Sequence, residues 1–276
     1  MQRESAMLVI KIGSMALINP RDQELDYNIF ARLGRALKPG MVLVSSGAVE
    51  IGRLDYIRRR GAELAGDFEE NKADYAAEGQ AILMREYRRF LPHHYALRQL
   101  LLEHTHFNDP EKREFISQFL LRCEQQGAVP IVNYNDAVSV EEVRKMELFA
   151  LRQKRGKVVE CIDNDETAAV VAELVRADTL VLLTNVNGIY LDPGDPSTLV
   201  SAVEGATPEE VAKKARDLQA YCHGASRAAA AGARAKLQFI ETPILHGTRV
   251  IIANAKYALD DILAGRVERS LFQVRP

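Results

Sequence analysis

The chain has 276 residues, of which 47% are hydrophobic and 27% are charged, and its formal net charge at pH 7 is −2. This composition is ordinary for a globular domain that is long enough to bury a sizeable core. A slightly negative charge disfavours a dedicated nucleic-acid-binding protein, which usually presents a basic face. No stretch approaches the roughly 20 consecutive apolar residues of a membrane-spanning helix, so a membrane protein is disfavoured as well.

The cysteines and histidines give no pattern of a disulfide framework or a metal site. Cys123, Cys161 and Cys222 lie far apart and include no C-x-x-C pair, which is typical of thiols in a reducing compartment. The pairs His93-His94 and His104/His106 have no partners at metal-ligand spacing, so no metal held by the protein is expected. The first residues lead into an apolar strand without the apolar segment of a signal peptide. Together these features predict a cytoplasmic protein.

Short apolar runs alternate with longer segments of helical periodicity, which predicts an α/β fold with a mainly parallel sheet and helices on both faces. The predicted strands are Leu8–Ile12, Met41–Val44, Leu97–Leu102, Ala128–Val132, Leu180–Thr184 and Arg249–Ala253. The predicted helices are Glu24–Leu37, Tyr75–Phe90, Glu111–Gln125, Glu166–Arg176, Pro208–Tyr221 and Ala258–Leu263. Two polar segments, 58–72 and 143–157, interrupt this alternation, and we interpret them as solvent-exposed surface.

The first predicted strand ends at Lys11 and continues into a Gly13-Ser14 turn. A lysine ammonium beside open backbone N–H groups suits an anion, and phosphate is the anion that this arrangement favours. The alternative is an ordinary surface lysine, since many strands end in lysine or glycine. Neither a G-x-x-x-x-G-K-[ST] loop nor a G-x-G-x-x-G turn after a strand is present, which disfavours a P-loop kinase and a Rossmann dehydrogenase.

Polar residues follow two further predicted strands and open one predicted helix. Ser45-Ser46-Gly47-Ala48 lies where a strand passes into a helix, a place where backbone N–H groups face an anion. Asn133–Asp136 lies at the carboxyl end of another strand, where α/β sheets place ligands. Asp163-Asn164-Asp165 directly precedes an apolar helix. Turn formation is the alternative for the Asn133–Asp136 cluster, and helix capping is the alternative for one of the two aspartates.

The ordered series of these motifs resembles the amino acid kinase family, and within it the glutamate 5-kinase branch most closely. The resemblance runs from Leu8 to about Phe272. The segments that carry it are Lys11–Ser14, Ser45–Ala48, Pro130–Asp136, Asp163–Asp165, Leu182–Tyr190 and Gly232–Leu237. It implies one α/β/α sandwich domain over 1–276, with a substrate-binding lobe at about 1–175 and a nucleotide-binding lobe at about 176–276. Many bacterial members continue into a C-terminal PUA domain, which these 276 residues do not include.

The resemblance also implies a reaction: ATP-dependent phosphorylation of a carboxylate, with Mg²⁺, giving γ-glutamyl phosphate from glutamate as in proline biosynthesis. By resemblance, Lys11 and Lys236 stabilise the transferred phosphoryl group and Asp165 orients both lysines. The implied substrate-binding residues are Ser46, Gly47, Asp136 and Asn164. The implied nucleotide-binding residues are Gly13, Ser14, Thr184, Asn185, Gly232 and Lys236. The implied partners are a small amino acid and further copies of the chain.

The sequence departs from the family pattern in ways that leave alternatives open. Tyr134 stands where the family usually has glutamate, Asn185 and Asn187 stand where it has aspartates, and 143–157 lengthens a segment that is shorter in the family. Alanines 228–231 replace a glycine-rich phosphate loop, and alanine favours helix. One alternative for this segment is a helix starting near Ser226, in which Lys236 points elsewhere and Arg227 or Arg234 meets phosphate. A kinase with a different acceptor and a non-catalytic ligand-binding regulator are the alternative functions.

Overall fold

The computed structural model describes residues 6–155, 158–161, 163–222 and 227–275. The strands are β1 Leu8–Ile12, β2 Ile18–Asn19, β3 Glu24–Leu25, β4 Met41–Ser45, β5 Ala96–Leu102, β6 Ala128–Tyr134, β7 Thr179–Thr184, β8 Ala202–Gly205, β9 Arg249–Asn254 and β10 Arg269–Val274. The helices are α1 Tyr27–Ala36, α2 Ala48–Arg60, α3 Phe68–Phe90, α4 His104–Asn108, α5 Pro110–Gln125, α6 Glu141–Arg155, α7 Asn164–Val175, α8 Pro208–Leu218, α9 Arg227–Phe239, α10 Glu241–Leu245 and α11 Leu259–Ala264.

All six predicted strands are present as β1, β4, β5, β6, β7 and β9, with small differences at their ends. The six predicted helices are present as α1, α3, α5, α7, α8 and α11. The predicted start of the first helix at Glu24 was wrong, because Glu24–Leu25 forms β3. The Asp26 side chain accepts hydrogen bonds from Asn28 N and Ile29 N. Asp26 therefore caps α1, which begins at Tyr27.

The helix expected after Ser45–Ala48 is present as α2. The elements that the sequence did not predict include β2, α4, α6, β8, α10 and β10. The described part of 143–157 belongs to α6, which agrees with its interpretation as solvent-exposed surface. That helix still exposes most of its side chains, although Leu148 is buried. Likewise, 58–72 consists of the end of α2, a connection, and the start of α3, which Asp67 caps.

The chain divides into two compact units, and the first comprises Met1–Ile12, Gly40–Val44 and Asp165–Pro276. Its strands lie in the order β4-β1-β7-β9-β10-β8. β1, β7 and β9 pair in parallel, with Lys11 opposite Leu182, whereas β10 runs antiparallel to β9 and parallel to β8. All five residues of β1 are buried, as expected for a strand within a parallel sheet that is covered on both faces. These pairings confirm the mainly parallel α/β arrangement.

The second unit comprises Gly13–Pro39 and Ser45–Asn164. Its strands β5 and β6 pair in parallel, with Leu102 opposite Tyr134. Helices α2 and α3 touch backbone to backbone, since a Cβ placed on Gly52 would lie 1.9 Å from Tyr75 O. A Cβ on Gly79 would lie 1.8 Å from Ala48 O. Glycine is therefore required at both positions for this helix pair to form.

The predicted lobes, divided at about residue 175, were defined by the ligand that each would bind. The two compact units are defined by packing alone, so that division stays a prediction. In the described part of the chain, no helix combines the length and the apolar character needed to cross a bilayer.

Candidate active site

Lys11 is the fourth residue of β1, and its side chain is buried. Its Nζ lies 2.7 Å from Oδ1 of Asp165, the second residue of α7. Because β1 is completely buried, an ordinary surface position for this lysine is excluded. The ammonium has a buried carboxylate as its partner, as a charge in the interior requires.

Lys236 brings a second ammonium to the same carboxylate. Its Nζ lies 2.9 Å from Oδ2 of Asp165, so each oxygen of the carboxylate pairs with a different lysine. The predicted helix across the alanine-rich segment is confirmed, since α9 spans Arg227–Phe239; Ser226 lies outside the described residues. Lys236 contacts Asp165 from within this helix, so the alternative in which a helix turns Lys236 away from the site is wrong. Arg234 is exposed, and the side chain of Arg227 lies outside the described residues.

The three side chains form a compact cluster that carries one net positive charge. Burial acts to raise the pKa of Asp165, but the two lysines outweigh that effect and hold the pKa below its usual value. The carboxylate therefore stays ionised at neutral pH and keeps both ammonium groups in place. Two fixed ammonium groups around one carboxylate are suited to bind an anion with more than one charged oxygen, such as a polyphosphate.

A cavity of about 390 Å³ in the first unit is lined by one predicted nucleotide-binding residue, Asn185, and by residues 186–190 that follow it. Its polar lining comes from Asn185, Asn187, Asn254 and Lys256, and none of its described lining residues is a carboxylate. The Nδ2 of Asn254 donates to the carbonyl of Asn185 at 3.0 Å, which links the ends of β9 and β7. The Oγ1 of Thr184 donates to Oδ1 of Asn185 at 3.2 Å. The cavity thus offers amides and one ammonium, beside apolar walls.

Gly232, another predicted nucleotide-binding residue, lies inside α9. Its carbonyl accepts a 3.5 Å hydrogen bond from Nζ of Lys236, one helical turn further on. A Cβ at Gly232 would come no nearer than 3.9 Å to that Nζ, so the local packing does not demand glycine. The role of Gly232 in binding phosphate stays a prediction.

In the second unit, Asn164 connects several residues of the predicted substrate site. Its Nδ2 donates to Oγ of Ser46 at 3.0 Å and to Oδ1 of Asn133 at 2.9 Å. Asn133 in turn donates to the buried Oε1 of Gln80 at 2.8 Å. The Oδ1 of Asn164 is buried and has no hydrogen-bond partner among the described residues, so it remains available to accept a hydrogen bond from a ligand.

These residues line a cavity of about 310 Å³, which we call the acceptor cavity. Ser46, Asp136 and Asn164 lie on its wall together with two cations, Lys72 and Arg144. Burial raises the pKa of Asp136, while Lys72 and Arg144 act in the opposite direction. Nζ of Lys72 lies 3.8 Å from Oδ1 of Asp136. The cavity therefore presents both anionic and cationic groups, as a zwitterionic ligand requires.

Tyr134 also lines the acceptor cavity and is almost completely buried. Its hydroxyl lies 3.5 Å from Nδ1 of His104 and 3.3 Å from Oγ of Ser139. The other ring nitrogen of His104 lies 3.0 Å from the carboxylate of Glu147, on α6. The side chain of Tyr134 thus faces His104, which in turn contacts Glu147 through its other ring nitrogen.

Gly47, Gly13 and Ser14 are the remaining predicted site residues. Gly47 is the N-cap of α2 and has a positive φ of 109°, a conformation that favours glycine. A Cβ on Gly47 would lie 3.8 Å from Cα of Ser14, which places these two segments side by side. Gly13 has an extended backbone that other residues also adopt, and Ser14 begins a short 3-10 turn. Their proposed contacts with phosphate and substrate stay predictions.

The sequence did not point to Lys72, Arg144, Asn254 or Lys256. Asn254 ends β9 and Lys256 follows it, and the rule that ligands bind at the carboxyl ends of strands would have drawn attention to both. Lys72 and Arg144 lie on helices, within segments that we interpreted as surface. The orientation in which each helix packs directs these side chains toward the cavity, and the sequence does not reveal that orientation.

The model of the amino acid kinase family matches residues 6–254 of the chain. Glutamate 5-kinase of Geobacillus thermodenitrificans is 33% identical over 270 residues, which are 94% of this chain and 65% of that protein. Glutamate 5-kinase of Symbiobacterium thermophilum is 31% identical and is matched over 97% of its length and 98% of this chain. The chain thus spans just under two thirds of the first relative and nearly all of the second.

Solved structures of kinases share the fold. Carbamate kinase from Giardia lamblia, bound to AMP-PNP, superposes with a TM-score of 0.60 at 15% identity, over 98% of this chain and 99% of that one. UMP kinase from Bacillus anthracis superposes with a TM-score of 0.55 at 11% identity, over 98% of this chain and 97% of that one. These likenesses confirm the predicted three-layer α/β/α fold with a mainly parallel sheet. The chain belongs to the amino acid kinase family.

Proposed function

We propose that this chain transfers the γ-phosphoryl group of ATP to the γ-carboxylate of L-glutamate, giving γ-glutamyl phosphate and ADP. The observation that carries the proposal is the single buried carboxylate of Asp165 held between two ammonium groups, at 2.7 Å and 2.9 Å. The glutamate 5-kinases that the chain resembles support this acceptor over others. The amino acid kinase family supports phosphoryl transfer as the reaction class.

The reaction makes few covalent demands on the protein. An oxygen of the acceptor carboxylate attacks the γ-phosphorus, and the bond from that phosphorus to the β,γ-bridging oxygen breaks, leaving its electrons on ADP. Since a carboxylate is ionised near neutral pH, it needs no general base to become a nucleophile. The proposed role of Lys11 and Lys236 is to stabilise the negative charge on the transferring phosphoryl oxygens. Asp165 would act as a positioning residue that keeps both ammonium groups in place.

Magnesium would neutralise charge on the nucleotide phosphates when it enters with ATP. Within the described residues, no three His, Cys, Asp or Glu side chains are grouped to hold a metal ion. Both oxygens of Asp165 already pair with lysines. We therefore assign no residue of this chain as a magnesium ligand.

The acceptor cavity supports an amino acid as the phosphoryl acceptor. The carboxylate of Asp136 and the unpartnered Oδ1 of Asn164 are suited to an ammonium group, and Lys72 and Arg144 are suited to a carboxylate. We propose that glutamate binds here through its α-amino and α-carboxylate groups. A different small acceptor is the main alternative, because the fold neighbours include kinases named for carbamate and UMP.

Two observations favour a second candidate function, a non-catalytic protein that binds an amino acid or a nucleotide. The segment before Lys236 is helical, and the nucleotide cavity has amides where carboxylates would be expected. Weak nucleotide binding would follow from both features. We further propose, from the sequence and the family resemblance, that the protein acts in the cytoplasm as a homo-oligomer.

The test is ADP release by the purified protein with Mg-ATP and a panel of acceptors headed by L-glutamate. We expect glutamate-dependent release in the wild type and its loss in Lys11→Met. ADP release with another acceptor would change the proposed substrate but retain the proposed reaction class. No release with any acceptor from a folded protein that still binds glutamate would favour the regulatory function.

A further inference from the structure

Arg144 projects from α6 into the acceptor cavity, and its side chain is only 15% exposed. The Nη1 group donates to the carbonyl of Cys161 at 3.3 Å, and Nη2 lies 2.9 Å from Oε2 of Glu141. These two contacts hold both Nη groups of the guanidinium. The side chain is therefore fixed in place before any ligand binds, which reduces the entropy lost on binding.

The backbone around Arg144 is arranged in an unusual way. Cys161 has a φ of 51°, in the left-handed region that non-glycine residues rarely adopt, and its carbonyl accepts from Arg144. Strained backbone of this kind persists where the surrounding structure imposes it, and it concentrates at binding sites. On the other side, Glu147 of α6 contacts the buried His104, and Leu148 is buried. The helix that carries Arg144 is thus attached to the unit at several points.

The charges around the cavity make Arg144 important for any anionic ligand group. Four carboxylates line the cavity, against two cations, Lys72 and Arg144. The four are Glu69, Asp136, Glu141 and Asp163. Such an excess of negative charge favours a ligand with an ammonium group but repels its carboxylate. The carboxylate must therefore lie against one of the two cations.

The two cations differ in their suitability for that role. Lys72 is 37% exposed and faces Asp136 at 3.8 Å, so its charge is partly screened by water and partly shared. Arg144 is more deeply buried. Glu141 shares its charge through Nη2 at 2.9 Å, but the buried Nε has no hydrogen-bond partner among the described residues, so the planar guanidinium keeps a donor for a carboxylate. Arginine at such a position binds a carboxylate more specifically than an exposed lysine does.

We infer that Arg144 is the residue that recognises the carboxylate of the acceptor that is not phosphorylated, the α-carboxylate of an acidic amino acid. This inference rests on the proposed function and assigns a specificity-determining role to α6. Asp136 and Oδ1 of Asn164 bind the α-ammonium group of the same ligand. The acceptor class is then an α-amino acid with a second, side-chain carboxylate as the phosphoryl acceptor.

The test compares L-glutamate with its α-amide, which keeps the γ-carboxylate but lacks the α-carboxylate charge. In the wild type, we expect glutamate to have a KM at least about 10-fold lower than the α-amide. In Arg144→Gln, the KM for glutamate rises about 10-fold to 100-fold, the KM for the α-amide changes little, and kcat is nearly unchanged. Arg144→Lys retains the charge, so its KM for glutamate lies between those of the wild type and Arg144→Gln. Arg152→Gln removes an arginine from the exposed side of the same helix and behaves like the wild type.

Calorimetric titration of glutamate and its α-amide, without ATP, separates this inference from the proposed function. Glutamate binding that depends on Arg144, in a protein without turnover, would support the inference and overturn the kinase. Turnover of glutamate that Arg144→Gln and Arg144→Lys leave unchanged would overturn the inference and keep the kinase. An equal loss with both ligands would show that Arg144 only supports the cavity, which also overturns the inference. A wild type that neither binds nor phosphorylates glutamate would overturn both proposals.

Discussion

Lys236 contacts Asp165 at 2.9 Å although the residues before it form a helix. A lysine on a regular helix can therefore reach the same carboxylate that the buried strand lysine Lys11 reaches from another element. The helix fixes the direction of the Lys236 side chain, because each side chain on a helix leans toward its N-terminus. The two-lysine cluster thus does not depend on a glycine-rich loop.

Removal of the shared carboxylate should impair turnover far more than binding. We expect Asp165→Asn to lower kcat by about 100-fold to 1,000-fold, as for the loss of one preorganised electrostatic group. It should also lower the free energy of unfolding by about 3 kcal/mol, because a buried ammonium loses its partner. Steady-state kinetics and urea titration measure the two effects. The control Asp260→Asn, at an exposed position of α11, should change neither kcat nor the free energy of unfolding. Full activity of Asp165→Asn would contradict the proposed positioning role of Asp165.

A carboxylate restored in the nucleotide cavity should strengthen nucleotide binding. Asn185→Asp places a charged acceptor where the cavity now has an amide, and a charge-assisted hydrogen bond to a ribose hydroxyl is about twice as strong as a neutral one. We expect the dissociation constant of ATP to fall about five-fold, by roughly 1 kcal/mol. Calorimetry with ATP measures this change. Weaker binding in Asn185→Asp would instead indicate that this wall faces the phosphates, which a new carboxylate would repel.

The backbone contact between α2 and α3 predicts a large effect of a single methyl group. In Gly79→Ala, the new Cβ would lie 1.8 Å from Ala48 O, so one helix must move. Forced displacement of this kind costs about 3 kcal/mol of unfolding free energy. Gly232→Ala is the matched control, because it also lies within a helix but has open space around its Cβ. The stability of the control should be unchanged or increased by up to about 1 kcal/mol. If urea titration showed the same change in unfolding free energy for Gly79→Ala and Gly232→Ala, the close contact between α2 and α3 would be refuted.

His104 should make the stability of the protein depend on pH below neutrality. Burial lowers its pKa, and Arg144 acts in the same direction, whereas Glu147 and Glu103 raise it; the net result is a lower pKa. The unfolded chain then binds a proton more readily than the folded protein, so stability falls as pH drops below about 6.5. His104→Gln should lose this part of the pH dependence, and His94→Gln, which is exposed, should retain it. Urea titrations at pH 7.5 and 5.5 compare the three proteins, and identical pH dependence in all of them would contradict the assignment.

Much of the sheet was predictable because buried parallel strands are continuous apolar runs with clear ends. The same rule placed Lys11 at a strand end and Asn133–Asp136 beyond β6. In contrast, β8 has only four residues, which is too short for a periodicity to appear. Glu24 and Leu25 fit the helical pattern of the segment that follows, and only the cap at Asp26 separates β3 from α1.

The acceptor cavity was predictable only in part. Ser46, Asp136 and Asn164 occur in motifs, so their sequence positions marked them. Arg144 and Lys72 reach the cavity because of the way α6 and α3 pack. From sequence alone, a helix rich in charged residues is interpreted as surface, since its buried face is not known. The contact of Lys236 with Asp165 was likewise beyond the sequence, since residues 71 positions apart in the chain meet only through the fold.

The placement of Lys11 in the completely buried strand β1 links the reaction to the folding of the whole unit. A strand that lies between β4 and β7 cannot fray without loss of the sheet around it, so its amide hydrogens should exchange with solvent only through global opening. Denaturant should then abolish activity over the same concentration range in which it unfolds the sheet. A partly unfolded form that still carries out phosphoryl transfer is not expected, and the chain would be either active and folded or neither.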